Sequence, residues 1–255
     1  MQDFIEAAAR ILAPARVLLV VTGAGVSKES GIPTFRDAQE GLWAHCDPMD
    51  LASREGFLRN PELVWQWYDY RFGMVEGARP NAAHRAIAQL EEMISQVTVA
   101  TQNIDGLHQA AGSTDVIELH GSIRRFKCLD GQHTGFTRAS FAGQADLPPH
   151  CPECGALLRP DVVWFGEFLP EEALERASHL SRHCDAMLVV GTSGEVQPAA
   201  SLPFQAARAG HPVIDVNPNR DPIARIADVF LQGPAGELLP SLISALRTTL
   251  QMREL

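Results

Sequence analysis

Residues 17–36, VLLVVTGAGVSKESGIPTFR, constrain the fold more than any other stretch. Positions 17–21 form an unbroken apolar run that stops at Thr22-Gly23-Ala24-Gly25. A short apolar run cut off by glycine predicts a strand buried on both faces of a parallel sheet. Glycines just past such a strand let the backbone approach a phosphate, and the helix that follows offers free N–H groups and a partial positive charge. Gly23, Ala24 and Gly25 are therefore a candidate diphosphate cradle. The stretch is not a plain G-x-G-x-x-G fingerprint, because Lys28 stands where its third glycine belongs. Gly31-Ile32-Pro33 ends the helix early and puts Phe35 and Arg36 on a loop over the cradle. An aromatic ring and a guanidinium there suit a lid that shields a reactive bond and clamps charge.

The rest of the chain alternates around that strand. A helix is expected over 3–13 and strands over 97–101, 116–119, 186–190, 212–216 and 228–231. Further helices are expected over 61–75, 81–94 (capped by Asn81), 170–182, 198–209 and 236–250. The pattern predicts an α/β doubly wound, Rossmann-like parallel sheet with ligand loops at the strands' C-terminal ends. Two segments interrupt it. Residues 38–60 read as polar and irregular, anchored by Trp43 and Phe57. Residues 121–160 carry Arg124, Arg125, Lys127 and the pair Cys151 and Cys154, and read as an inserted module.

Composition narrows the function. A chain of 255 residues with formal net charge −10 lacks the basic surface that nucleic acid demands, yet suits a basic peptide. No stretch approaches the roughly 20 apolar residues of a membrane span. The N-terminus reads as an amphipathic helix, not a signal peptide, so the cytoplasm is the expected compartment. Five cysteines in that setting argue for free thiols or metal rather than disulfides.

Polar residues gather at the other strand ends. Gln102, Asn103 and Asp105, with Ile104 among them, follow the 97–101 strand, and such groups are useful there only if they meet a ligand. Gly191, Thr192 and Ser193 offer amides and hydroxyls to phosphate or ribose. Asn217 closes another strand. His120 sits at a strand end, where an imidazole can act as a general base near neutral pH.

In this order, GAGVS at 23–27, SGIPTFR at 30–36, TQNID at 101–105, His120-Gly121 and GTS at 191–193 resemble the sirtuins, the NAD-dependent protein-lysine deacylases. The likeness runs from about 15 to 235. It implies one catalytic domain over 1–255, in which a helical module (38–78) and a ribbon-like module (122–160) form a small lobe. It implies that NAD and an acylated lysine peptide or protein meet in the cleft. His120 would act as base toward the ribose hydroxyls, so that the acyl group passes from lysine to ADP-ribose with release of nicotinamide. Asn103 would orient the ribose and a water, and Asp105 and Ile104 would hold the nicotinamide carboxamide. Phe35 would shield the reacting carbon and Arg36 would lie near the phosphates. Gly23, Ala24, Gly25, Gln102, Gly191, Thr192, Ser193, Asn217 and Ala235 would line the dinucleotide.

The same likeness assigns Val162, Val163, Phe165, Gly166 and Glu167 to peptide binding, by addition of the substrate as a strand to a free edge. Asp161 stands where family members often carry histidine, a negative charge expected to disfavour acidic substrates. Tyr68 and Arg71, three apart on one helical face, look like the Tyr-x-x-Arg signature of sirtuins that remove succinyl and malonyl groups. The family's zinc ribbon uses two Cys-x-x-Cys pairs. Here Cys151 and Cys154 make one pair, while Cys128 faces Gly131 in the other, leaving either His133, His150 or Asp130 as the fourth ligand or a degraded site. His84 and His108 are expected to serve packing or capping. The competing readings are an NAD-dependent ADP-ribosyltransferase, a hydride-transfer dehydrogenase, and a non-catalytic NAD or acyl-peptide binding module.

Overall fold

The computed structural model describes residues 2–33, 46–144 and 146–253. Phe35, Arg36 and Trp43 lie outside the described residues. Helix α1 (Gln2–Leu12) leads into β1 (Val17–Thr22) and a 3-10 turn, Ala24–Ser30. Helices α2 (Pro48–Leu51), α3 (Arg54–Arg59), α4 (Pro61–Gly77) and α5 (Ala82–Gln89) follow. Then come β2 (Gln96–Thr101), α6 (Leu107–Ala111) and β3 (Val116–Glu118). An antiparallel pair, β4 (Gly121–Cys128) and β5 (Leu158–Val162), precedes α7 (Glu171–His183) and β6 (Ala186–Val190). Helix α8 (Leu202–Arg208), β7 (Val213–Asn217), β8 (Val229–Gln232) and α9 (Ala235–Arg253) complete the order.

Among the described residues, six strands make one parallel sheet in the order β3-β2-β1-β6-β7-β8. The doubly wound expectation is met. Successive residues of β1 point to opposite faces, as strand geometry requires. Leu18 and Val20 enter the core covered by α1, α5 and α9, while Leu19 and Val21 enter the core covered by α7 and α8. All four are essentially solvent-free, each worth about 1.5–3 kcal/mol of burial. The sheet's winding reverses between β1 and β6, and in open α/β sheets ligands bind at that reversal.

Some local expectations change. Segment 38–60 is not irregular throughout, because it holds α2 and α3. Asp47 accepts from Met49 N at 2.8 Å and Ser53 Oγ from Gly56 N at 3.0 Å, so each short helix has its cap. Phe57 is fully buried, as its anchoring role required. Asn81 caps α5, but that helix tightens into a 3-10 turn at Leu90–Glu92 instead of running to 94. The 198–209 helix likewise begins with a 3-10 turn, Ala199–Ser201. A third core joins Leu51, Phe57, Val64, Trp67 and Tyr68 to Ile123, Val162 and Trp164. A fourth, smaller one packs Trp65, Phe126 and Phe136 around Cys128 and Cys151. Among the described residues no helix is long and apolar enough to cross a membrane.

One residue breaks the apolar rule of the sheet. Asp215, in the middle of β7, is fully buried, and among the described residues neither carboxylate oxygen has a hydrogen-bond partner. Burial, with the nearby charge of Asp221, pushes its pKa up from 3.8 to about 7.

Candidate active site

The loops after β1 and β6 clasp each other at the reversal. Gly23 N donates to Val190 O at 3.1 Å and Gly25 N to Gly191 O at 2.8 Å. A Cβ on Gly25 would sit 2.7 Å from Gly191 O, and one on Gly191 (φ +60) 2.5 Å from Val26 N. Only glycine permits this approach. The neighbouring tips join in: Gln102 Nε2 donates to Thr192 Oγ1 at 3.0 Å and Asn217 Nδ2 to Thr192 O at 2.8 Å. Gly236 N donates to Glu29 Oε2 at 2.7 Å, which ties the start of α9, and with it Ala235, to the first turn. Gly23, Ala24, Gly25, Gln102, Thr192, Asn217 and Ala235 thus converge from five secondary-structure ends. Ser193 is exposed beside them. Such a concave set of amides, hydroxyls and amide side chains at the reversal fits a dinucleotide.

Beneath the cradle lies a buried polar network. Asn103 Nδ2 donates to Ser27 Oγ at 3.0 Å, and Ser27 Oγ donates to Asp105 Oδ2 at 2.8 Å. Asp105 Oδ1 accepts from Leu107 N at 2.9 Å. Behind Ser27 stands His84, whose Nδ1 accepts from Asn81 N at 3.4 Å and whose Nε2 lies 3.4 Å from Ser27 Oγ. Because Nδ1 accepts, Nε2 carries the proton and points at the serine. His108 Nε2 lies 2.9 Å from Thr22 Oγ1. Burial lowers the His84 pKa to about 4 and that of His108 to about 3, so both rings are neutral at pH 7. His84 does cap a helix, as expected. Its reach to Ser27 is a further role, which the Asn81-Ala-Ala-His84 capping box signals only in part.

His120 is half-buried at the mouth of this network. Its Nδ1 lies 2.9 Å from the Gln102 carbonyl, an acceptor only, so Nδ1 bears the proton and Nε2 keeps its lone pair. Burial lowers its pKa and the bond to Gln102 opposes that only in part. The ring is a neutral base held at β2's end. Ile104 O accepts from Ile123 N at 3.0 Å, which fixes the Asn103–Asp105 turn against β4.

Tyr68 and Arg71 of α4 form the next wall. Tyr68 is buried and accepts from Trp164 Nε1 at 2.9 Å. Burial raises its pKa, and Arg71 counters the rise. Burial lowers the Arg71 pKa, and the neighbouring Tyr68 oxygen and the Asp105 carboxylate oppose the shift. The Arg71 guanidinium lies 5.6 Å from the Trp67 ring centroid. Asp69 turns away from it to pair with Arg138.

The 162–167 segment is more occupied than a free edge. Val163 N donates to His120 O at 3.0 Å, Phe165 N to Ala52 O at 2.8 Å and Trp164 N to Glu167 Oε2 at 2.9 Å. Phe165 is exposed, whereas Glu167 turns inward to Arg159. Asp161 does not add a bare negative charge: Lys127 Nζ stands 3.1 Å and Arg125 Nε 3.5 Å from its carboxylate. The groove here, about 490 Å³ and lined by Gly121, Arg125, Lys127, Asp161, Val163 and Phe168, carries charges of both signs.

The ribbon holds Cys128, His133, Cys151 and Cys154 with one ligand atom each, all within 4.8 Å of one another. Three thiolates and an imidazole are a closed tetrahedral set for zinc. Of the three candidates for fourth ligand, His133 is the one placed among the thiols. His150 is committed to Gly155 O at 2.8 Å, and Asp130 to Arg54. Glu153 Oε2 lies 3.6 Å from His133 Nε2, where it can orient the ring. Purified protein is expected to carry about one zinc per chain, and His133→Ala to lower that content in elemental analysis. A metal-free parent with intact fold would refute the site.

Comparison with known proteins agrees with this geometry. The Sir2 family profile matches residues 23–198. NAD-dependent protein deacylase 1 of Caldanaerobacter subterraneus is 50% identical over 226 residues, covering 89% of this chain and 92% of the relative. A crystal structure of a Sir2 homologue with NAD superposes at TM-score 0.89 with 44% identity, covering 96% of this chain and 94% of the other. A Sir2–p53 peptide–NAD+ structure superposes at 0.82 with 34% identity, covering 92% and 95%. With the profile spanning both the β1 cradle and the β6 loop that clasps it, the chain belongs to the Sir2 family.

Proposed function

We infer that this chain is an NAD-dependent protein-lysine deacylase, with an acyl pocket suited to short dicarboxylic acyl groups such as succinyl as well as acetyl. The observation that carries the reading is the His120 imidazole, a neutral base with Nε2 unprotonated, one hydrogen bond from the strand end that bears Asn103 and Asp105. When bound, NAD supplies an electrophilic ribose carbon, a nicotinamide leaving group and the hydroxyl that receives the acyl group. The protein's part is orientation and proton transfer. Asp105, fixed by Ser27 and Leu107 N, positions the carboxamide end with Ile104. Asn103 orients the ribose, Thr192, Ser193 and Asn217 hold the remainder, and His120 Nε2 takes a ribose hydroxyl proton. Arg36 and Phe35 keep the clamping and shielding roles expected from the sequence.

The substrate is an acylated lysine in a peptide or protein, a reading supported by the Sir2 structure that holds a p53 peptide together with NAD+. Val162, Val163, Phe165 and Gly166 present it to the cleft. We divide the chain into a sheet lobe and a small lobe of 38–78 and 122–160. The cytoplasm is the proposed compartment, where the thiols of the ribbon stay reduced.

The chemistry is tested by incubating NAD with acetyl-, succinyl- and butyryl-lysine peptides and reading products by mass spectrometry. Free lysine peptide and acyl-ADP-ribose support it, while ADP-ribosylated protein as the sole product would return the transferase reading. Arg71→Met is expected to reduce desuccinylation by about 10- to 100-fold, the range of a lost charge-assisted ligand contact, and deacetylation far less. Equal losses would exclude the carboxylate pocket.

A further inference from the structure

Among the described residues Arg159 is the most deeply buried arginine. It lies on β5, is 1% exposed, and its guanidinium meets both carboxylate oxygens of Glu167. The same group donates to Val162 O at 2.7 Å and stacks 3.2 Å from the centroid of a Trp164 ring. Glu167 in turn accepts from Trp164 N at 2.9 Å. Trp164 is therefore held by its backbone, through Glu167, and by its ring face, under Arg159. Phe57 packs against the ring as well, with centroids 5.3 Å apart. The indole's remaining polar atom, Nε1, donates to Tyr68 OH.

That last bond has a chemical consequence. A phenol has one hydrogen to give. With the indole N–H supplying a proton to the oxygen, the Tyr68 hydrogen is left to donate elsewhere, beside the Arg71 guanidinium. Were the indole to tilt, the hydroxyl would be free to turn and its hydrogen would lose that fixed direction.

We propose that Arg159 and Glu167 form a positioning pair that, through Trp164, aims the Tyr68 hydroxyl and so sets the preference for carboxylate-bearing acyl groups. This rests on the acyl-pocket reading above. It gives Glu167 a role different from direct peptide contact, and it makes the peptide-binding segment and the acyl pocket parts of one rigid frame. A buried arginine without its carboxylate would be expensive, so the frame stands or falls as a unit.

The test uses the full chain, NAD and matched succinyl- and acetyl-lysine peptides. The readout is the ratio of kcat/KM for succinyl to that for acetyl, with kcat and KM resolved and a thermal melt for each variant. Arg71→Met first checks the pocket itself. Trp164→Phe keeps a ring between Phe57 and Arg159 but removes the N–H, and Glu167→Gln keeps the shape but removes the charge. Each is expected to lower the ratio about three- to tenfold, the span of one hydrogen bond to a ligand, chiefly through a raised KM for the succinyl peptide. Acting along one path, the two together should lower it no further than the worse single variant. Additive effects, or equal losses for both acyl groups, would overturn the proposal while a collapsed ratio in Arg71→Met leaves the pocket standing. An unchanged ratio in Arg71→Met would instead bring down the pocket, and this inference with it. Should Trp164→Phe not fold, Glu167→Gln alone decides, because an unchanged ratio there refutes the pair.

Discussion

His120→Tyr is expected to lose acyl transfer by about 10²- to 10⁴-fold, the usual contribution of a positioned general base, while NAD binding measured by calorimetry persists. The expectation follows from one proton. Nδ1 is spent on the Gln102 carbonyl, so the reactive nitrogen is Nε2, and a phenol in its place offers no base at neutral pH. The same geometry fixes a pH dependence. A base works only unprotonated, and burial lowers this one below the ordinary 6.5. The acid limb of kcat/KM should therefore lie below pH 6.5 and vanish with the imidazole. A variant that turned over normally, or an acid limb unmoved by the substitution, would remove His120 from the mechanism.

The second large effect concerns stability. Asp215 has an ordinary pKa of 3.8 and about 7 when folded. Below 3.8 it is protonated in both states and folding pays nothing. Between 3.8 and 7 the unfolded chain ionises while the folded chain holds its proton, so the native state binds more protons and stability falls as pH rises. Above 7 the loss is complete, at about 4 kcal/mol. Asp215→Asn has no such titration. Its buried amide and the neutral carboxyl it replaces bear a similar cost of unpaired burial, so the variant should gain on the parent as pH rises, by up to about 4 kcal/mol at pH 8, and lose that advantage by pH 4. Urea unfolding of parent and variant across pH 4–8 reads the difference directly. Parallel curves would mean that Asp215 finds a partner in solution.

Much of this was visible in the residues, for a physical reason. A strand buried on both faces is mostly apolar and its end is punctuated by small or polar residues, so β1, β2, β6 and β7, the last despite its buried Asp215, announce themselves and their tips announce the cleft. The helix α4 pair Tyr68 and Arg71 followed from spacing. What stayed hidden depended on partners far along the chain. Helices α2 and α3 are held by Asp47 and Ser53 caps and by the Phe57–Trp164 contact, none of which gives a periodic signal. Glu167 is assigned to peptide binding by resemblance, and nothing near it in the sequence shows that Arg159, in a strand where arginine is unexpected, holds it. Asp161 read as a bare charge because Lys127 and Arg125 approach it from the neighbouring strand. His133 could not be told from His150 until the ribbon's turn placed one of them among the thiols. In the sequence Ser27 figures only as part of the GAGVS motif, and only the approach of His84 on α5 to the first turn shows it between His84 and Asp105.

The central strand has a consequence for biosynthesis. β1 is made early, yet one of its two neighbours, β6, ends at Val190 of a 255-residue chain. Until a ribosome has delivered that far, a nearly all-apolar strand has one edge unpaired, and contacts so distant in sequence close slowly. In that interval the open edge is where mispairing with another nascent strand competes with native closure.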